Sequence, residues 1–273
     1  MTETSTQTRS PHFHRDATAA TYRAIHLPRV FTRWARVLLE ILPSQPGEVV
    51  LDVATGPGTV AREAARMAGP GGRVVGVDIS SAMLAVGRQW PPDVRAAPIE
   101  YIESTATSMP LESNTFDVAY CQQGLQHMSD PDAALAEIRR LLKSDGRLGV
   151  AVWQQSPFGL FRQAVAELGL TADGPQPSEF GRDASGLVSA LRAAGFGDVQ
   201  VQTRELVSVL EGGPPQALEV AISTSAAARM EEFTAEQQAA VREAIGCAIE
   251  PLVRPDGVHL TSISNIATAR LSE

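Results

Sequence analysis

Residues 49–80 constrain the fold of this chain more than any other segment, because two apolar strands there flank a glycine loop and a helix. The apolar run Val49–Val53 predicts a buried strand, and it leads into a loop with two glycines in three residues. A helical pattern follows, and a second apolar strand, Val74–Val77, ends at Asp78. Strands that alternate with helices predict a parallel sheet with helices on both faces.

The glycine loop is suited to bind a ligand. Gly56 and Gly58 allow a tight turn and leave no Cβ between the backbone and a bound molecule. The helix that follows offers unpaired N–H groups and a positive dipole end to a carboxylate. Asp78, twenty residues after Gly58, ends the next strand, where a carboxylate can accept hydrogen bonds from both hydroxyls of a ribose. The layout favours a cofactor with a ribose and a negatively charged tail.

Two cofactors meet that description, NAD and S-adenosylmethionine (SAM). A dinucleotide fingerprint has its third glycine where this chain has Ala61, although alanine is tolerated there. Asp52, just before the turn, favours SAM, because a pyrophosphate repels a carboxylate whereas the cationic amino-acid part of SAM tolerates one. A glycine turn that only packs a strand on a helix is the third alternative. SAM is the predicted cofactor, with S-adenosylhomocysteine (SAH) as its product.

The rest of the chain continues the alternation of strands and helices. Ser80 is positioned to cap a helix that begins at Ser81, and residues 130–146 predict an amphipathic helix that stops at Gly146. A further helix is predicted over residues 185–194. The five other predicted strands are Ile99–Ile102, Phe116–Cys121, Arg147–Trp153, Val199–Leu210 and Ile263–Leu271.

Composition and charge narrow the class of protein. The 273 residues suffice for one α/β domain with additions, and the formal net charge of −8 argues against a nucleic-acid substrate. The two cysteines, Cys121 and Cys247, lack metal-ligand spacing, so no metal site is predicted and a reducing cytoplasm is expected. No apolar run approaches the length of a membrane span. We expect a disordered tail over residues 1–19 and one domain over residues 20–273.

Three segments of the chain resemble the motifs of small-molecule SAM-dependent methyltransferases of class I, the UbiE-like group. These segments are DVATGPG, VVGVDISSAMLAVGR and FDVAYCQQGLQHMSDPDAALAEIRRLLKSDGRLGVAVW. The resemblance implies a doubly wound, Rossmann-like α/β fold whose sheet has seven strands, the last of them antiparallel. It also implies a helical cap over the carboxyl edge of the sheet, built from residues 20–42, 157–183 and 212–259. It leaves the acceptor open, because this group methylates carbon, oxygen and nitrogen on many scaffolds.

The resemblance also assigns roles to individual residues around the cofactor. These residues are Asp52, Ala54, Gly56 and Gly58 at the methionine part, Asp78 at the ribose, Ile79 and Met83 at the adenine, and the carbonyl of Gln122 at the ammonium group. After the third strand the group usually has Gly-Asp-Ala, where this chain has Ser104, Thr105 and Ala106. The Thr105 hydroxyl lacks the charge of a carboxylate, so we expect weaker selection of adenine, with the backbone of Ala106 contributing more of it.

Methyl transfer asks little of the protein beyond alignment in a dry pocket, because the sulfonium already activates the methyl group. His127 is the candidate base, since it lies just beyond the fourth strand and its ordinary pKa suits proton removal near neutrality. The alternative is a histidine that only packs against the acceptor. The residues expected at the acceptor are Tyr22, Gln123, Gln126, His127 and Trp153.

Aromatic residues in and beside the predicted cap favour a hydrophobic small molecule as acceptor, such as a natural product or a quinone-like compound. They are Tyr22, Phe31, Trp34, Trp153, Phe158 and Phe161, and a place in the core of the cap is the alternative for most of them. We therefore expect a SAM-dependent methyltransferase. The second hypothesis is a SAM-bound protein of the same fold that templates a cyclisation or binds a ligand without methyl transfer. Whether the chain forms a homodimer is left open.

Overall fold

The computed structural model describes residues 29–91, 93–170, 179–223 and 225–271. The predicted tail, residues 1–19, and the predicted acceptor residue Tyr22 lie outside the described residues. The strands are β1 (Val49–Val53), β2 (Arg73–Asp78), β3 (Ile99–Glu103), β4 (Phe116–Gln122), β5 (Leu142–Gln155), β6 (Phe196–Leu210), β7 (Val253–Arg254) and β8 (Gly257–Leu271). The α-helices are α1 (Thr32–Ile41), α2 (Thr59–Ala68), α3 (Ser81–Arg88), α4 (Pro131–Leu141), α5 (Gly159–Glu167), α6 (Ala184–Ala193), α7 (Gly213–Ala221), α8 (Ser225–Met230) and α9 (Ala235–Ile249).

The strands form one sheet in the order β3-β2-β1-β4-β5-β8-β6, and the short strand β7 pairs with β8 off this path. The five strands β1 to β5 run parallel to one another. The last strand, β8, lies between β5 and β6 and runs antiparallel to both. The predicted doubly wound α/β fold with an antiparallel last strand is confirmed, with β7 as a short addition to the seven predicted strands.

Two predicted boundaries are wrong. The last strand begins at Gly257 rather than at Ile263, because its first half pairs with the end of β6. The helix expected to stop at Gly146 ends at Leu141, and β5 begins at Leu142. The register explains the difference, because Phe116 pairs with Leu142 whereas Val118 pairs with Arg147. The extra residues of β5 form a bulge in which a Cβ at Gly146 would lie 2.8 Å from a backbone carbonyl oxygen. Gly146 therefore allows a tight bulge inside β5 and does not mark the end of a helix.

The sheet separates two apolar cores, and a cluster of helices has a third. One core packs α4 and α6 on the sheet, through residues such as Leu135 and Leu187. The other packs α1 and α2 on the opposite face, where Trp34 is fully buried. The prediction that residues 20–42 belong to the cap is therefore wrong for α1, because its apolar side chains pack on the face of the sheet. The third joins α5, α7, α8 and α9 to the end of β6 and the start of β8. These two strand ends lie beside the carboxyl end of β5, so the helical cluster lies at the carboxyl edge of the parallel strands.

Within the described ranges, no helix is both long and apolar enough to cross a membrane.

Candidate functional site

Hydrogen bonds hold the glycine loop against the end of β2. The Thr55 N–H donates to the Val77 carbonyl at 3.0 Å. The Gly56 N–H donates to Oδ2 of Asp78 at 2.7 Å. Three residues of the turn have left-handed backbone, with φ of +56° at Ala54, +54° at Gly56 and +76° at Gly58. The loop is thus fixed in the shape that the two glycines permit.

Asp52 stabilises the loop from inside. It is 1% exposed, and its Oδ2 accepts hydrogen bonds from the Thr55 hydroxyl at 2.5 Å and from the Ala61 N–H at 2.9 Å. Burial, with a smaller contribution from the nearby charge of Asp78, raises the pKa of Asp52 to about 7. Because Ala61 is in the first turn of α2, one N–H group expected to be open for a ligand is occupied by Asp52. Contact of Asp52 with the cofactor stays a prediction, and its observed role is to position the loop.

Gly56 and Gly58 differ in what surrounds them. A Cβ built on Gly56 would meet no atom within 4 Å, so the space in front of it is open to a ligand. A Cβ built on Gly58 would lie 2.0 Å from the hydroxyl oxygen of Tyr101, which is on β3. Gly58 is therefore required by packing within the protein, whereas Gly56 borders the cleft.

The end of β2 carries the predicted ribose and adenine residues. Oδ1 of Asp78 accepts a hydrogen bond from the Ser80 N–H at 2.8 Å, so both carboxylate oxygens are already held by backbone donors. A carboxylate oxygen can accept more than one hydrogen bond. Ile79 is 37% exposed and presents an apolar surface beside Asp78. Met83 is 3% exposed and packs with Ala82 and Val86, so the structure does not bring it to the surface beside Ile79.

The segment after β3 is folded on itself. The Thr105 hydroxyl lies 3.0 Å from that of Thr107 and accepts the Thr107 N–H at 3.4 Å. Ala106 packs partly buried against the larger core. The Ser104 N–H donates to the Asp78 carbonyl at 3.0 Å, which joins this segment to the end of β2. The segment is in the predicted place, and its contact with adenine stays a prediction.

Two glutamines end β4, and each holds one amide group in a fixed orientation. The Gln122 Nε2 donates to the Phe31 carbonyl at 3.2 Å, and the Gln123 Nε2 donates to the Ser264 hydroxyl at 3.2 Å. Gln123 also has left-handed backbone, with φ of +49°, and its N–H donates to the Ala151 carbonyl at 2.7 Å. The side-chain oxygens of both glutamines are buried and have no hydrogen-bond donor in the described part of the chain.

The turn after β4 touches the glycine loop. A Cβ built on Gly124 would lie 2.7 Å from the Cβ of Ala54, so the two backbones approach each other closely. The 3₁₀ turn Leu125–His127 follows. Gln126 is 4% exposed, and its Oε1 accepts the Trp153 N–H at 3.3 Å. The structure therefore brings Ala54, Gln122, Gln123, Gln126 and Trp153 to one part of the carboxyl edge.

His127 ends the 3₁₀ turn and is exposed to solvent. Desolvation, and to a lesser degree the charge of Arg162 on α5, together lower the pKa of His127 to about 4. Its Nε2 lies 3.5 Å from the Nε2 of Gln126. At neutral pH the ring is uncharged and can accept a proton, but a group with this pKa is a weak base. The expectation of an ordinary imidazole pKa was wrong, because the cleft disfavours the charged ring.

Aromatic side chains pack beside the two glutamines. The ring centroids of Phe31 and Trp153 are 6.4 Å apart, those of Trp34 and Trp153 are 5.5 Å apart, and Phe31 stacks on Phe158 at 5.9 Å. Trp34 is fully buried and Phe161 is 3% exposed, so these two belong to cores. Trp153 and Phe158 are half-buried and supply an apolar surface at the carboxyl edge.

Two residues of the site have no signal in the local sequence. Ser264 is 141 residues from Gln123, and the two meet only because β8 inserts beside β5. Tyr101 points its hydroxyl at Gly58, which follows from the pairing of β3 with β2. No cluster of three or more potential metal ligands occurs in the described ranges.

The chain is similar to known proteins. Residues 51–150 match a protein family described as a methyltransferase domain. The ubiquinone/menaquinone biosynthesis C-methyltransferase UbiE of Teredinibacter turnerae is 36% identical over 132 residues, which cover 48% of this chain and 53% of that protein. The chain spans about half the length of the curated relatives it matches.

Two solved structures share the fold. A phosphoethanolamine N-methyltransferase of Haemonchus contortus, in complex with phosphomonomethylethanolamine and SAH, has a TM-score of 0.58 at 20% identity. That match covers 94% of this chain and 58% of the other. The [4+2]-cyclase SpnF has a TM-score of 0.52 at 25% identity, and the match covers 88% of this chain and 80% of the other.

Proposed function

We propose that this chain, whose residues 51–150 are a class I SAM-dependent methyltransferase domain, transfers a methyl group from SAM to a hydrophobic small molecule. The family match and the curated relative confirm the resemblance to the UbiE-like group and, with it, SAM as the cofactor. The activity of the whole chain and its acceptor are the subject of the proposal. That relative is a C-methyltransferase of ubiquinone and menaquinone biosynthesis.

One observation carries the proposal, namely the joining of the glycine loop to the end of β2. The carboxylate of Asp78 accepts the Gly56 N–H at 2.7 Å and the Ser80 N–H at 2.8 Å. Asp78 is hydrogen-bonded to the loop through Gly56 and is followed in the chain by Ile79. A ribose bound to this carboxylate would therefore direct the methionine part of the cofactor toward the loop and the adenine toward Ile79. The open space in front of Gly56 fits a ligand that passes the loop.

The residues present therefore suit SAM. The methionine part would lie along Ala54 and Gly56, the ribose at Asp78, and the adenine against Ile79. When bound, SAM supplies a methyl group already activated by its sulfonium. The protein contributes alignment of the acceptor and exclusion of water, through Trp153, Phe158 and the two glutamines at the end of β4.

The low pKa of His127 favours an acceptor that needs no strong base. An alcohol or a protonated amine must lose its proton to become a nucleophile, and a group whose pKa is about 4 removes such protons poorly. An electron-rich aromatic carbon, as in a hydroquinone, is nucleophilic while its ring proton is still attached. That proton leaves after the carbon–carbon bond forms, and water can take it. We infer that His127 is a wall of the acceptor site and that carbon is the methylated atom.

The proposal is tested in two stages. Calorimetry with SAM and with SAH measures cofactor binding, and the absence of binding to the folded protein would reject the cofactor assignment. The acceptor is then tested anaerobically with 1,4-dihydroxynaphthalene and labelled SAM, with SAH release and label transfer as readouts. We expect label on ring carbon, and label on oxygen would contradict the assignment of the atom.

A second function is supported by the likeness to the cyclase SpnF, at a TM-score of 0.52 and 25% identity. A chain of this fold whose cleft lacks a strong base could bind SAM and shape a polyene for cyclisation instead. The two functions differ in whether SAH is formed. SAH accumulates with the acceptor in the first case, whereas in the second SAM stays intact while the substrate isomerises.

A further inference from the structure

The side-chain oxygen of Gln122 is fixed as an acceptor. Its Nε2 donates to the Phe31 carbonyl at 3.2 Å. A carbonyl oxygen only accepts, so the nitrogen of the amide must face Phe31 and the oxygen must face away from it. That oxygen is buried and meets no donor in the described part of the chain.

A chain of two hydrogen bonds fixes Gln123 in the same way. The Ser264 hydroxyl donates its proton to the Val152 carbonyl at 2.8 Å. Ser264 can therefore only accept from Gln123, whose Nε2 lies 3.2 Å from the Ser264 oxygen. Gln123 is 6% exposed, and its Oε1 also lacks a donor among the residues described. Two neighbouring residues thus each carry a buried side-chain oxygen that has no donor among the residues described.

Such acceptors are costly in a protein that has no use for them. A buried polar atom without a partner costs about 1–3 kcal/mol, and native proteins contain few. Gln123 adds left-handed backbone, with φ of +49°, at a residue that is not glycine. Strain and unpaired polar groups tend to persist together where a ligand completes the site.

The two glutamines lie between the glycine loop and a group of aromatic rings. On one side the turn at Gly124 touches Ala54 of the glycine loop. On the other side Phe31, bonded to Gln122, has its ring centroid 6.4 Å from that of Trp153. An acceptor between them would have the loop at its reacting end and aromatic rings along its body.

We propose that the side-chain oxygens of Gln122 and Gln123 bind a neutral hydroxyl or N–H group of the methyl acceptor, and so select for acceptors that carry such a donor on an aromatic ring. This inference rests on the proposed function, since it places the acceptor beside the cofactor loop. Amide oxygens carry no net charge and suit a neutral donor better than an ammonium ion, which charged partners bind more strongly. The two oxygens determine specificity and take no proton.

A matched pair of ligands tests the inference. The probes are 2-naphthol and 2-methoxynaphthalene, which share a ring system but differ in the O–H donor. Their dissociation constants are measured with saturating SAH, so that no methyl transfer occurs. For the wild-type protein we expect naphthol to bind about tenfold more tightly, as one hydrogen bond to a buried acceptor would give.

Gln123→Met keeps the length of the side chain and removes its acceptor. It should reduce the preference for naphthol to within about twofold, while the affinity for SAH stays unchanged. Gln122→Met should act in the same direction and serves as a second variant if the first folds poorly. The control is Gln200→Met, at an exposed residue of β6, which should keep the full preference.

Three results would overturn the inference. The first is a wild-type protein that binds both probes equally or neither, and the second is a preference that survives in both methionine variants. The third is a fall in SAH affinity with the preference intact, which would assign the oxygens to the ammonium group of the cofactor. Absence of SAH binding by the wild-type protein would instead reject the proposed function, so the two failures are distinguishable.

Discussion

At the scale of single residues, Asp78 has the largest share of the predicted cofactor contacts. Asp78→Ala should weaken SAM binding by more than tenfold, because it removes the ribose acceptor and also releases the Gly56 and Ser80 N–H groups. Isothermal titration calorimetry measures the change. Asp132→Ala, at an exposed carboxylate in the first turn of α4, is the matched control and should bind SAM as the wild type does. An unchanged dissociation constant for Asp78→Ala would move the ribose elsewhere.

His127 leads to a prediction about pH. Its folded pKa of about 4 means that the ring is neutral above about pH 5 and becomes charged only near pH 4. The ratio of kcat/KM between wild type and His127→Asn should therefore be constant from pH 5.5 to pH 8. His127→Ala should lower kcat/KM about tenfold, chiefly through KM, as loss of a wall does. A ratio that falls with an apparent pKa near 6.5 would restore His127 as the base.

At the scale of elements, the loop between β1 and α2 depends on two glycines in different ways. Gly56→Ala should leave the fold intact, at a cost of about 1 kcal/mol for a Cβ in left-handed backbone, and should weaken SAM binding strongly. Gly58→Ala should instead lower the melting temperature, because its Cβ would meet the Tyr101 hydroxyl at 2.0 Å. Thermal melts and calorimetry on both variants separate the two effects, and normal SAM affinity in a folded Gly56→Ala protein would contradict the site.

The junction of β1 and α2 also makes stability depend on pH. The carboxyl of Asp52 has a pKa of about 7 in the folded protein and 3.8 as the ordinary value. Between these values the unfolded chain has lost the proton and the folded chain keeps it, so stability falls as pH rises from about 4 to about 7. The loss amounts to about 4 kcal/mol at most. Asp52→Asn should flatten the fall in melting temperature between pH 5 and pH 8, and an unaltered slope would assign the effect to another group.

At the scale of the whole molecule, a bound cofactor should stabilise the fold. SAM at about 100 times its dissociation constant should add about 2.7 kcal/mol, because it binds the folded state alone. For a domain of this size that corresponds to a rise in melting temperature of roughly 5–10 °C. Differential scanning fluorimetry measures the shift, and NAD at the same concentration should give none. If NAD raised the melting temperature and SAM did not, NAD rather than SAM would be the cofactor.

The sequence predicts best those parts of the molecule whose residues lie close together in the chain. β1, the glycine loop and Asp78 follow one another within 30 residues, and apolar runs and glycines suffice to recognise them. Gly146 shows the limit, because a glycine after a helical pattern indicates a helix end and only the register of β4 with β5 reveals a bulge. The pKa of His127 and the contact of Gln123 with Ser264 depend on residues distant in the chain, which no local pattern contains.

The position of β8 between β5 and β6 has a consequence for synthesis on the ribosome. β6 ends at Leu210, and the strand that joins it to the sheet begins only at Gly257. While the intervening residues are being translated, β5 and β6 both present unpaired backbone edges, of the kind that pair with other chains. A nascent chain arrested before Gly257 should therefore aggregate or recruit chaperones, although its glycine loop and Asp78 are already made. Completion of the edge, rather than formation of the cofactor loop, is the late step in the maturation of this protein.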